Sequence, residues 1–192
     1  NSSIKSMGDL VSAYKANPSG VAIGGGSVPG GMDHLVAAMV MQAAGADPTE
    51  VKYIAYDAGG KAMAALLSGE IKALSTGFSE AVAMAKAGEA NIIGVTSDKR
   101  VGALPEAKTM QEQGIDTYFV NWRGFFAAPG LPKDKLVAYQ KAIDKMYGTD
   151  EWEAVRSRNG WENIHNPGAK FMTFLEQQEK EISGLMKKLG FL

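Results

Sequence analysis

Along the first 80 residues, apolar positions come in short blocks. A bare, small-residue loop follows each block, and apolar residues then recur at three- and four-residue steps. Val21-Ala22-Ile23 runs into Gly24-Gly25-Gly26-Ser27-Val28-Pro29-Gly30-Gly31, after which Met32, Leu35, Val36, Met39, Val40 and Ala43 make one stripe. Val51 to Tyr56 runs into Asp57-Ala58-Gly59-Gly60 and then Met63, Leu66 and Leu67, and Ile71 to Ser75 runs into Thr76-Gly77-Phe78-Ser79. The pattern predicts strand, loop and helix three times over, with helices closed at Gly45 and Gly69 and a fourth strand at Asn91 to Thr96 after Gly88. Buried strands alternating with amphipathic helices predict an α/β fold, a parallel sheet flanked by helices, and the stripe from Met32 is expected to face that sheet.

In such a sheet the strands end on one edge and the helix N-termini converge there. Glycine lets a main-chain N–H approach a ligand without a Cβ in the way, and a helix start adds unpaired N–H donors and the positive end of its dipole. Val21 to His34 therefore reads as an anion cradle, and the repetition of the motif sets it apart from a turn that only joins two elements.

After Asp116 the character changes. Thr117 to Ala128 is aromatic-rich and extended, as expected of a segment crossing between lobes, and it ends at Pro129-Gly130-Leu131-Pro132. Helices are predicted at Lys133 to Tyr147, Glu151 to Arg158 and from about Ala169. In the last, Phe171, Phe174, Leu175, Ile182, Leu185, Met186 and Leu189 form the apolar face.

Composition removes several classes of function. With 20 basic against 21 acidic residues, and Asp98-Lys99-Arg100 as the nearest approach to a basic patch, nucleic acid is not an expected partner. No apolar run reaches membrane-spanning length, and nothing at Asn1 reads as a leader peptide. The absence of cysteine excludes thiolate metal sites and thiol nucleophiles, and His34 and His165 stand in no metal-ligand spacing, so neither metal nor cofactor is expected.

Two enzymatic readings compete. Gly24-x-Gly26 after a strand, with Asp57 ending the next one, imitates the loop and ribose-binding acid of an NAD(P)-binding Rossmann-type oxidoreductase. Pro29 stands against it, at the place where the third glycine should let helix and strand approach. A serine hydrolase built on Ser27 and His34 lacks the Gly-x-Ser-x-Gly elbow.

The chain resembles the receptors of tripartite tricarboxylate transporters, the Bordetella uptake family of periplasmic solute-binding proteins. The resemblance rests on Gly24 to His34, on Tyr56 to Gly60, and on Thr96 to Arg100 with Leu104-Pro105 and Thr109 to Gly114. Trp122 to Pro129 completes it, and Asn121-Trp122-Arg123-Gly124 is most similar to citrate-type members. Lys108 stands where relatives often have proline, a neutral change at a surface turn.

What the resemblance implies is a type II periplasmic binding protein, not an enzyme. Residues 1–116 would be a nearly complete second lobe and 117–192 the crossing strand and returning part of the first. The rest of the first lobe would lie before Asn1, leaving apolar faces of the last helix uncovered. The implied ligand is a small tricarboxylate, dicarboxylate or related organic acid, and the implied partner is a membrane permease, with the receptor in the periplasm after removal of its signal peptide. The implied contacts are Gly26, Ser27, Val28, Gly30 and Gly31, then Ala58, Gly59 and Gly60, then Gly77, Phe78 and Ser79. His34 is expected to pack rather than touch ligand. Trp122 and Arg123 are expected in the crossing strands. Asp57, an acid beside the loop, would repel a polyanion unless it pairs with an ammonium on the ligand.

Overall fold

A computed structural model describes residues 2–192. The elements follow in the order α1 (Met7–Ala16), β1 (Ile23–Gly25), α2 (Met32–Ala43), β2 (Tyr53–Ala55), α3 (Gly59–Ser68), β3 (Ala73–Leu74), α4 (Phe78–Lys86), α5 (Lys133–Tyr147), α6 (Asp150–Arg158) and α7 (Ala169–Lys188). The three strands are parallel and ordered β2-β1-β3, with Ile23 beside Tyr53 and Ala73, and Gly24 beside Ile54 and Leu74.

Alternation along β1 sends side chains to both faces, and both are covered. Val21 and Ile23 join Ala73 in a core with Leu10 and Tyr14 of α1 and Ala37, Val40 and Met41 of α2. Ala22, on the other face, packs with Ile71 and with Ala65 of α3. Helix α1, which closes the first face, begins at a capping box. Ser6 Oγ accepts from the Asp9 amide at 3.1 Å, while the Asp9 carboxylate accepts from the Ser6 amide at 2.9 Å.

The expected single stripe on α2 is corrected to burial on two sides. Ala37, Val40 and Met41 meet the sheet and α1, whereas Leu35 and Ala38 pack on Leu185, with Ile182, Met186 and Leu189 of α7 around them. Leu35 and Met39 of the expected stripe lie on this second face with Ala38, while Val40 of the same stripe lies on the first with Ala37 and Met41. Met32 and Met39 are only half-buried.

Asn91 to Thr96 is not a fourth strand. It makes one parallel bridge, Val95 to Thr109, with bonds of 3.0 Å from the Val95 amide to Lys108 O and 2.9 Å from the Met110 amide to Val95 O. The Gln113 side chain takes the carbonyl of Ile93 at 3.1 Å, where a ladder partner would be needed to extend the pairing. Val95 instead packs with Leu104 and Ala107 beneath Phe78 and Val82 of α4. The aromatic run Thr117 to Ala128 likewise forms no strand among the described residues. Its anchor is Phe119, whose amide donates to Thr96 O at 3.0 Å and whose carbonyl accepts from Thr96 Oγ1 at 2.8 Å.

The chain divides into two compact units. The first holds the residues up to Val120 together with Glu179–Leu192, and the second is Asn121–Gln178. In the second, Trp122 packs edge-on against Phe171 and Phe174, with ring centroids 5.4 and 5.9 Å apart, and Arg123 lies 5.9 Å from the centre of the Trp161 ring. No residue of α5 or α6 is fully buried, and Phe125 and Phe126 are 77% and 71% exposed.

Candidate functional site

Because β1 lies between β2 and β3 in parallel, the starts of α2, α3 and α4 emerge on one edge of the sheet, and the first two loops touch backbone to backbone. A Cβ on Gly26 would stand 2.6 Å from the Gly59 nitrogen and 2.9 Å from the Ala58 carbonyl carbon. Gly26 is thus required by the approach of two loops.

The first loop is organised by two residues of the helix it precedes. Asp33 is 7% exposed, and its Oδ2 accepts from the amides of Gly26 at 2.8 Å and Ser27 at 3.1 Å. In return the Asp33 amide donates to Ser27 Oγ at 3.0 Å, a cap for α2 supplied from four residues outside its N-cap Gly31. His34 is 8% exposed, and its Nδ1 accepts from the Gly30 amide at 3.0 Å. The ring stacks on Tyr53 at 4.7 Å and meets Phe191 edge-on at 5.6 Å. Between them Val28-Pro29-Gly30-Gly31 closes a turn, with the Gly31 amide donating to Val28 O at 2.8 Å and Gly30 at φ 79°. Proline at the second position and glycine at the third are the residues of a type II turn.

Tyr53, on β2, fastens the loop from below. Its hydroxyl donates to Ser27 O at 2.8 Å, so in the 3.2 Å contact between the two hydroxyls the proton comes from Ser27. Burial raises the Tyr53 pKa above its ordinary value and lowers that of His34, leaving both neutral at neutral pH. Burial also pushes the Asp33 carboxyl upward and the nearby Glu80 charge adds to this, against the downward pull of the Gly26 and Ser27 amides.

The other two helix starts are barer. The N-caps Ala58 and Gly77 make no side-chain cap bond. Among the described residues, the amides of Val28, Gly59, Gly60, Phe78 and Ser79 have no hydrogen-bond partner. Glu80 accepts from Thr76 Oγ1, and its carboxylate fills the space that a side chain on Gly59 would need. Asp57 pairs with Lys61 one turn into α3, both largely exposed, so its charge has a counter-ion from the protein itself.

The residues expected from the sequence therefore fall into two sets. The amides of Gly26, Ser27, Gly30 and Gly31 are engaged within the loop, by Asp33, His34 and Val28. Those of Val28, Gly59, Gly60, Phe78 and Ser79 are the donors left on the edge, the Ser27 hydroxyl being engaged by Tyr53 and the Asp33 amide, while the carbonyls of Ala58 and Gly77 accept from Lys61 and Ala62 and from Glu80 as α3 and α4 begin. Asp33, Tyr53 and Glu80 were missed. Asp33 adjoins the loop in sequence and its Asp-His pair was visible, but only the register of β2 brings Tyr53 beneath Ser27. Ser27 Oγ and the His34 ring have different partners, so no nucleophile and base are joined here. No group of three His, Asp or Glu side chains able to hold a metal occurs among the described residues, and no helix among them is long and apolar enough to cross a membrane.

Comparison with known proteins points one way. The sequence model for the tripartite tricarboxylate transporter family receptor, TctC, matches residues 1–191. In fold the chain is similar to a TctC solute-binding protein from Polaromonas, solved without ligand, at 22% identity and a TM-score of 0.84, covering 98% of this chain and 64% of that one. It is also similar to Rpa4515 of R. palustris, solved with adipate, at 18% identity and a TM-score of 0.76 over 98% of this chain and 62% of the other. A third likeness is to MatC from Rhodopseudomonas palustris with bound malate, at 16% identity and a TM-score of 0.68 over 96% and 62%. The chain thus spans a little under two thirds of the length of these relatives.

Proposed function

We propose a solute-receptor function for this chain, which belongs to the tripartite tricarboxylate transporter receptor family: it takes up a small organic di- or tricarboxylate at the helix-start edge of its sheet and hands it to a membrane permease from the periplasm. The observation that carries this reading is the set of unpartnered amides at three helix starts, those of Val28, Gly59, Gly60, Phe78 and Ser79. Neutral donors suit a carrier. Each hydrogen bond to a charged acceptor contributes about 1.5–3 kcal/mol, and several together hold a carboxylate without a fixed positive charge that would retain it. The malate and adipate held by two relatives of this fold support the chemical class.

The ligand is enclosed, on this reading, by closure of two lobes, of which residues 1–116 form most of one and 117–192 part of the other. The relatives are longer than this chain by more than half, and on this reading a facing lobe adds its own donors to the bank at the three helix starts. Loss of half of a micromolar binding energy of about 8 kcal/mol leaves affinity in roughly the millimolar range.

A thermal-shift screen tests the reading. Malate, adipate or citrate should raise the melting temperature by mass action, and NAD and NADP should not. Stabilisation by the nucleotides with no response to any of the acids would replace the receptor with a dinucleotide-binding domain.

A further inference from the structure

We propose that Asp33 and His34 are positioning residues: together they hold the 26–31 loop in the shape that presents its ligand donors, and protonation of the His34 imidazole releases that hold. The inference rests on the receptor reading for what the loop is for, but the geometry stands without it.

Consecutive residues of α2 reach back over the loop from which the helix grows. Asp33 takes the two amides before the turn, Gly26 and Ser27, and His34 takes the amide of Gly30 inside it. Gly30 is the third residue of a type II turn, whose amide in an isolated turn faces solvent. Here it is drawn down onto the helix. Three of the loop's amides are thereby turned inward and that of Gly31 closes the turn on Val28 O, which leaves Val28 at the exposed crest with its own amide unpartnered. An imidazole can accept at Nδ1 only when its single proton is on Nε2, whereas the imidazolium presents N–H at both nitrogens. Protonation would set the Gly30 N–H against another N–H, in a ring held in place by Tyr53 on one side and Phe191 on the other. The turn, not the ring, is the part free to move.

The ionisable groups nearest in the chain to the residues that meet the ring are Asp33 on α2 itself, Lys52 and Tyr53 at β2, and Lys187 and Lys188 at the end of α7, just before Phe191. None of them forms an ion pair with the imidazole among the described residues, so no carboxylate is in contact to stabilise the imidazolium. Burial lowers the His34 pKa from its usual 6.5, and the acceptor is intact at neutral pH.

The test is nitrogen-15 NMR of the full 192-residue chain from about pH 7.5 to about pH 5, following the His34 ring and the amides of Gly26, Ser27 and Gly30. The amides should shift with the midpoint of the ring, and the exchange protection of Gly30 should fall by about tenfold, the equivalent of one hydrogen bond. His34→Asn places a non-titrating Oδ1 near the Nδ1 position and should keep the neutral-pH amide pattern throughout. His34→Leu should show the acid pattern at every pH. A ring that titrates while the three amides stay unmoved overturns the proposal, as does a pH response that persists in His34→Asn. Adding malate or adipate at neutral pH reads the separate question. If neither perturbs Val28, Gly59, Gly60, Phe78 or Ser79, the receptor reading fails while the pH result still decides the role of the pair.

Discussion

Asp33 is a buried carboxylate used as an internal anion, and its titration has a definite sign. Its pKa lies above the ordinary 3.8, first because of burial and then because of Glu80. A group whose pKa rises on folding favours the fold in its protonated form. The associated stability is complete below 3.8 and is lost as the pH climbs through the folded value. Asp33→Asn keeps an oxygen for the Gly26 and Ser27 amides and removes the buried charge. It should melt at a higher temperature than the parent at neutral pH, and the advantage should vanish as the pH falls toward 3.8. Thermal unfolding of both proteins across that interval decides it; an equal or lower melting temperature for the variant at neutral pH shows that the charged hydrogen bonds outweigh desolvation.

At the scale of elements, the proposed site lies where two loops that belong to different strand-helix units touch. Gly26→Ala places a methyl group 2.6 Å from the Gly59 nitrogen, and both neighbours are backbone, which cannot rotate aside. Overpacking of this kind should cost about 1–3 kcal/mol in urea unfolding. It should also part the first two helix starts, so that the amide resonances of Gly59 and Gly60 shift at neutral pH without any ligand. Helix periodicity and the Val-Pro-Gly-Gly turn were legible in the sequence because they depend on residues three or four apart. The Gly26 to Gly59 approach depends on residues 33 apart and the register of β1 on β2, which no local pattern carries.

For the whole molecule, the unit Asn121–Gln178 is the part that differs most from a finished domain. It contains no strand among the described residues, and Phe125, Phe126, Leu136, Val137, Tyr139, Ile164 and Met172 are exposed. Apolar area on that scale normally meets a partner surface. The chain should therefore self-associate with rising concentration in sedimentation velocity, and the double substitution Phe125→Ser with Phe126→Ser should weaken the association while leaving the far-ultraviolet circular dichroism unchanged. A chain that stays monomeric at high concentration shows the unit to be self-sufficient. The expectation that the entire apolar face of the last helix is uncovered does not hold for its second half, where Leu185 is buried against Leu35 and Ala38 and Ile182 packs beside it.

By itself the sequence determined the alternation of parallel strands with helices, the place of the three glycine-bearing helix starts and the receptor family. Each of these is written in local periodicity, turn chemistry or motif order. Only the tertiary structure decided which loop amides are spent and which remain. That outcome depends on Asp33 and His34 folding back onto the loop and on Tyr53 arriving from the neighbouring strand. The same holds for α2, clothed on two sides because α7 returns to it from about 150 residues away, and for Asn91 to Thr96, whose apolar run found one bridge and a side-chain partner in place of a sheet edge. Backbone hydrogen bonds must be satisfied somewhere, but where they are satisfied is a property of the packed chain.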